Sequence, residues 1–143
     1  MANNTIDMAL MDIDMGSVEA AKNMFDLPPE GTYSCVLNLE GKKLNDVNYL
    51  EWKFKVVEPI ELNDPSQEVA PNATFSFLNG LAVDKLGFMK VKCSILAEAL
   101  GCDNNLAALV ENVQNVQVTC MLKHRRSGEK VYASVPDAGF AVA

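Results

Sequence analysis

A chain of 143 residues, 49% apolar and 22% charged, has the make-up of one globular domain, with length left over for an arm. Its formal charge of −7 argues against an indiscriminate nucleic-acid binder, and no apolar run approaches the roughly 18 residues that a membrane helix needs. The four cysteines, Cys35, Cys93, Cys102 and Cys120, form no C-x-x-C pair, and His124 is the one histidine. A zinc site and a disulfide framework are therefore not expected, and the thiols read as reduced ones in an intracellular protein.

The charge is unevenly spread. Residues 1–30 hold six acids (Asp7, Asp12, Asp14, Glu19, Asp26, Glu30) and one base, Lys22. The remaining residues hold thirteen acids and eleven bases, a balance of only −2. A basic patch on the body is compatible with an acidic whole.

Residues 1–26 form an acidic, Met-rich arm. Ile6, Met8, Leu10, Met11 and Met15 have rough helical spacing, which fits either a tail or an arm that docks on a partner, since Met adapts to irregular apolar surfaces. No positive segment followed by an apolar run marks a secretory signal. Leu27-Pro-Pro-Glu-Gly31 is a boundary, because consecutive prolines exclude a helix or strand interior.

Tyr33, Cys35, Leu37 and Leu39 alternate with polar or smaller residues and predict a first strand. Glu40–Asp46 reads as a loop with Lys42 and Lys43 at its tip. In the second strand Leu50, Trp52, Phe54 and Val56 fall on one face, and Glu51, Lys53 and Lys55 on the other, with Tyr49 at the start. A two-residue period means one buried and one wet face. Thr74–Leu78 is a short third strand, with Phe75 and Phe77 read as core.

Asp84–Leu100 predicts a helix, with Leu86, Met89, Cys93, Leu96, Ala97 and Leu100 as its apolar stripe, Lys85, Lys92 and Glu98 off that stripe, and Gly101 as its C-cap. Asn105–Asn112 adds a short second helix. Val116, Val118, Cys120 and Leu122 predict a fourth strand. Ser127-Gly128 turns the chain into a fifth, carrying Val131, Ala133 and Val135. Residues 137–143 read as a short tail.

Three strands, a helix and two strands (β-β-β-α-β-β) is the order of a mainly β, five-stranded OB-like barrel, here over residues 27–136. In such a barrel a ligand lies across strands two and three, between the 1–2 and 4–5 loops. The first loop carries Lys42 and Lys43. The second, residues 123–130, carries Lys123, Arg125, Arg126 and Lys130. Strand two adds Lys53 and Lys55. Eight of the twelve bases thus fall where a nucleic-acid strand would lie. Cations along a phosphate backbone give sequence-independent affinity. Tyr49 and Tyr132 are the expected stacking platforms. The alternative for these residues is ordinary: wet strand faces and a solubilising hairpin tip.

Leu27-Pro-Pro-Glu-Gly-Thr-Tyr33, the Tyr49-Leu-Glu-Trp-Lys-Phe54 strand, the Leu96-Ala-Glu-Ala-Leu-Gly101 helix end and the basic hairpin resemble small bacteriophage single-stranded-DNA-binding proteins of the OB-like type. The likeness spans about residues 25–136 and is one of layout and short signatures. It implies non-catalytic binding of single-stranded DNA in phage replication or recombination, in the cytoplasm of the infected host. Many proteins of this type end in an acidic tail that recruits enzymes and masks the groove. This chain ends Pro136-Asp-Ala-Gly-Phe-Ala-Val-Ala143, and its acidic segment lies at the other end. That segment is the expected contact for replication or recombination proteins.

No P-loop, dinucleotide-binding glycine pattern, metal-ligand cluster or nucleophile elbow occurs. No catalysis, cofactor, metal or membrane partner is expected; self-association is left open. A rival reading is a phage virion component, a capsid-decorating or neck protein that docks on its neighbours through the N-terminal arm. A third is an inhibitor of a host enzyme whose acidic arm mimics DNA.

Overall fold

A computed structural model of the chain describes residues 27–143. The arm expected over residues 1–26 falls outside the described residues.

The architecture is mainly β. Strands β1 (Gly31–Leu44), β2 (Val47–Leu62) and β3 (Thr74–Gly80) are followed by a 3-10 turn (Val83–Met89), α1 (Lys90–Leu100) and α2 (Leu106–Asn112). Then come β4 (Val116–Ser127), β5 (Lys130–Ser134) and β6 (Ala141–Val142). The antiparallel strands run in the order β3-β2-β1-β4-β5, and β6 pairs with β4. The sheet is not closed: among the described residues β3 and β5 do not pair. The closed barrel expected from the sequence is therefore not formed, and a seam separates these two strands. They are the shortest of the five, seven and five residues, and side chains from both line the gap.

The alternation in β2 has the predicted consequence. Leu50, Trp52, Phe54 and Val56 are buried with Tyr33, Cys35, Leu37 and Leu39 of β1 and Val118, Cys120 and Leu122 of β4. Trp52 is completely buried, stacking on Phe77 at 5.7 Å and meeting Phe140 edge-on at 6.3 Å. Its indole N–H has no hydrogen-bond partner within the described residues. Phe140 comes from the segment read as a tail; that segment returns to the sheet through Val142 opposite Val118. Phe75 is core, 4.8 Å from Phe54, whereas Phe77 is only partly buried.

The two expected loops are strands almost to their tips. β1 and β2 meet at Asn45-Asp46, both at positive φ (50° and 64°), the conformation a two-residue hairpin turn requires. β4 and β5 meet at Gly128-Glu129, with Gly128 at φ 64°. At the other end of β1, Gly31 lies so close to β2 that an added Cβ would sit 2.6 Å from the Glu61 carbonyl oxygen.

The predicted helix divides. Val83–Met89 is 3-10, with a glycine at position 87 that disfavours an α-turn, and the α-helix starts at Lys90. Gly101 caps it at φ 65°, donating to the carbonyls of Ala97 and Glu98. Met89, Cys93, Leu96 and Ala97 are buried as the stripe requires. Lys92 is the exception: read as off the stripe, it is only 6% exposed and its Nζ donates to Asp137 Oδ1 at 2.6 Å.

Cys35, Cys93 and Cys120 are buried and Cys102 is half-buried, all as free thiols. Cys120 Sγ is 3.9 Å from Cys35 Sγ, and this contact and burial raise its pKa. Burial pushes the Cys93 thiol up to about 11 and the Tyr33 phenol up to about 12. The Tyr33 hydroxyl donates to the Pro29 carbonyl, which ties the Pro-Pro boundary to the core.

Candidate nucleic-acid interface

Two surfaces carry the cations. The first is the outer face of β1 and β2. Directly opposed residues share a face, so the register Lys42 with Tyr49, Glu40 with Glu51, Asn38 with Lys53 and Val36 with Lys55 places these eight side chains together. β3 extends the face with Thr74, Ser76 and Leu78. Lys53 donates to Glu40 at 2.7 Å, and Lys42 lies 3.7 Å from Glu51. The Lys53 ammonium holds the Glu40 carboxyl below its ordinary pKa, and Glu40 raises that of Lys53. Two of the expected phosphate ligands thus have a carboxylate neighbour. Tyr49 is half-buried, Lys55 is exposed, and Lys43 is exposed opposite Asn48 on the reverse side of the ribbon.

The second surface is the open seam. Between β3 and β5 runs a groove of about 630 Å³. Its walls include Leu78, Phe77 and Phe88 on one side and Tyr132 on the other, with Lys85, Lys92, Arg125 and Glu51 as its charged groups. Three cations and one carboxylate line it, with Lys92 also paired to Asp137. Phe88 is 68% exposed and Tyr132 44%, so both rings are available for stacking. Lys85 Nζ lies 5.9 Å from the centre of the Phe88 ring, within cation–π reach. Lys92 forms part of the lining with a nearly buried ammonium that has one carboxylate partner and three N–H groups.

Arg125 and Tyr132 stand opposite each other in the β4–β5 ladder, which brings both to the seam. Lys123 pairs with Ser134 on the same side of the hairpin, and Ser134 lines the groove. Arg126, opposite Val131, lies on the reverse side, and Lys130 pairs with Ser127 beside the turn. His124 has a structural task. Its backbone N–H donates to Glu30 Oε2 and its ring Nε2–H to the Pro28 carbonyl, each at 2.7 Å. The hairpin is thereby tied to the start of β1.

Of the ten sequence-predicted residues, the groove lining includes Arg125 and Tyr132. Lys85, Phe88, Lys92 and Glu51 are the groove residues that sequence reasoning missed. A signal was present: Lys85, Phe88 and Lys92 follow an i, i+3, i+7 spacing, which puts them on one helical face. A second cavity, about 280 Å³ between Met89, Cys93, Leu106 and Leu109, is lined mainly by apolar side chains.

Among the described residues no helix is long and apolar enough to cross a membrane, and no group of three or more His, Cys, Asp or Glu side chains is placed to hold a metal ion. Comparison of the chain with family models, with characterised proteins and with solved structures finds no match to any of them.

Proposed function

We propose that this protein binds single-stranded DNA without catalysis, through the groove between β3 and β5, and that it serves phage DNA replication or recombination. The observation that carries the reading is the joint presence of three cations and two exposed aromatic rings along one open seam. A single strand offers what such a groove can use: phosphates for Lys85, Lys92 and Arg125, and unstacked bases for Phe88 and Tyr132. A duplex keeps its base faces stacked inside and offers these rings nothing to stack on.

The strand order supports an OB-like reading. β3-β2-β1-β4-β5, with the helices between β3 and β4, is the order of such a barrel opened where its third and fifth strands would meet. The phage setting rests on the resemblance of the Pro-Pro boundary, the Trp52 strand and the basic hairpin. The contact with replication or recombination proteins rests on the acidity of the N-terminal segment.

Fluorescence anisotropy with labelled oligo-dT, single- and double-stranded, at low and moderate salt, tests the reading. The expected result is single-strand binding that weakens steeply with salt and drops several-fold in Arg125→Glu. Equal affinity for the duplex, or no binding at low salt, would overturn it.

A further inference from the structure

The groove contains a carboxylate that a purely phosphate-binding surface would not want. Glu51 lies directly opposite Glu40 in the β1–β2 ladder, and like charges so placed destabilise a sheet. Glu40 is relieved by its hydrogen bond from Lys53 at 2.7 Å. Glu51 is not relieved in the same way. Its lysine, Lys42, is 3.7 Å away, beyond hydrogen-bonding distance, and among the described residues no group donates to its carboxylate. The Glu51 side chain is only 15% exposed, yet it lines the groove. A sheltered carboxylate without donors, next to an ammonium, presents two acceptor oxygens and one donor side by side.

We propose that Glu51 and Lys42 read the Watson–Crick edge of a guanine in the single strand that occupies the groove; the inference rests on the single-strand reading above. Guanine matches the pattern. Its N1–H and N2–H₂ are parallel donors for the two oxygens of one carboxylate, and its O6 is an acceptor for the lysine. Cytosine and adenine offer the carboxylate one amino group. Thymine offers one N–H between two carbonyl oxygens that repel it. A phosphate at this point would be repelled as well, so Glu51 also sets which part of the strand faces β2. Leu78, opposite Glu51 in the β2–β3 ladder, provides apolar surface beside the pair.

The test uses the full chain and three labelled strands: a thymine tract, the same tract with a central guanine, and the same tract with hypoxanthine at that position. Hypoxanthine keeps N1–H and O6 and loses the N2 amino group. The guanine strand should bind about tenfold more tightly than the all-thymine strand, with hypoxanthine between them. In Glu51→Gln the three affinities should converge and thymine-tract binding should tighten, since a charge that repels phosphate is gone; in Glu40→Gln the preference should persist. Guanosine monophosphate should compete poorly, because it brings a single phosphate to three cations.

Three equal affinities in the wild-type protein, a guanine preference that survives Glu51→Gln, or competition by the free nucleotide at parity with the strand would each overturn the inference. Equal affinities would leave single-strand binding intact. Failure of all three strands to bind would overturn both readings.

Discussion

The outer face of β1–β2 and the β3/β5 seam both carry cations, and they differ in what surrounds them. On the outer face the ladder sets Lys53 and Lys42 beside Glu40 and Glu51, so much of the charge is neutralised within the sheet. In the seam Lys92 is held by Asp137, but Lys85 and Arg125 share the groove with Glu51 alone, and exposed rings stand beside them. Exposed ion pairs contribute about 0–1 kcal/mol to stability, yet they still decide whether a surface attracts phosphate. The number of bases on a strand is therefore a weaker guide than the neighbours that the register gives them.

The largest expected effect comes from reversing charge in the seam. Lys85→Glu with Arg125→Glu should weaken single-strand binding at low salt by about tenfold or more, and flatten the salt dependence by about 0.7 for each phosphate no longer neutralised. Anisotropy across a salt series measures both. Next, Phe88→Ala and Tyr132→Ala should each cost about 1–3 kcal/mol of affinity if each ring stacks one base, with little change in salt slope. An effect confined to the slope would mean that the rings do not stack.

Lys92→Met separates support from binding. Removing one partner of an ion pair is costly where the other is left buried, but the Asp137 side chain is 44% exposed and regains water, so thermal stability should fall only modestly while affinity falls several-fold. Loss of folding together with affinity would make Lys92 purely structural. On the other surface, Lys53→Gln with Lys55→Gln should lower affinity by less than about threefold, since Lys53 already has its carboxylate. A drop as large as that of the seam variants would erase the distinction between the two surfaces.

The smallest effect concerns the core beneath both. Cys93 is raised from 9.0 to about 11 and Tyr33 from 10.0 to about 12, so each favours the folded state fully below its unfolded value. That contribution is lost as pH rises through the folded values. Denaturant midpoints should therefore decline between pH 9 and pH 12, and Cys102 should react with a thiol probe at about pH 8 before the buried thiols do.

Much of the sheet was legible in the sequence because a strand with one wet face must alternate. Leu50, Trp52, Phe54 and Val56 allow no other burial. The α1 stripe and the Gly101 cap were legible for the same reason. The open seam was not, since pairing between β3 and β5 depends on how the outer half of β4 carries β5, and no local pattern records it. The seam residues were obscured in the same way. Lys85 and Lys92 read as solvated positions because the stripe was defined by apolar residues alone. Asp137, which holds Lys92, is 45 positions away. Glu51 read as one more wet residue until the register placed it opposite Glu40.

Where the strand lies can be seen by an amide-shift titration of the ¹⁵N-labelled full chain with unlabelled oligo-dT. With the seam as the interface, the largest shifts fall on Ser76–Gly80, the Lys85–Lys92 segment and Tyr132–Val135, with weaker changes at Asn38, Lys53 and Lys55. Shifts concentrated on those last three residues, with the seam unmoved, would contradict a seam interface and return binding to the outer face of β1 and β2.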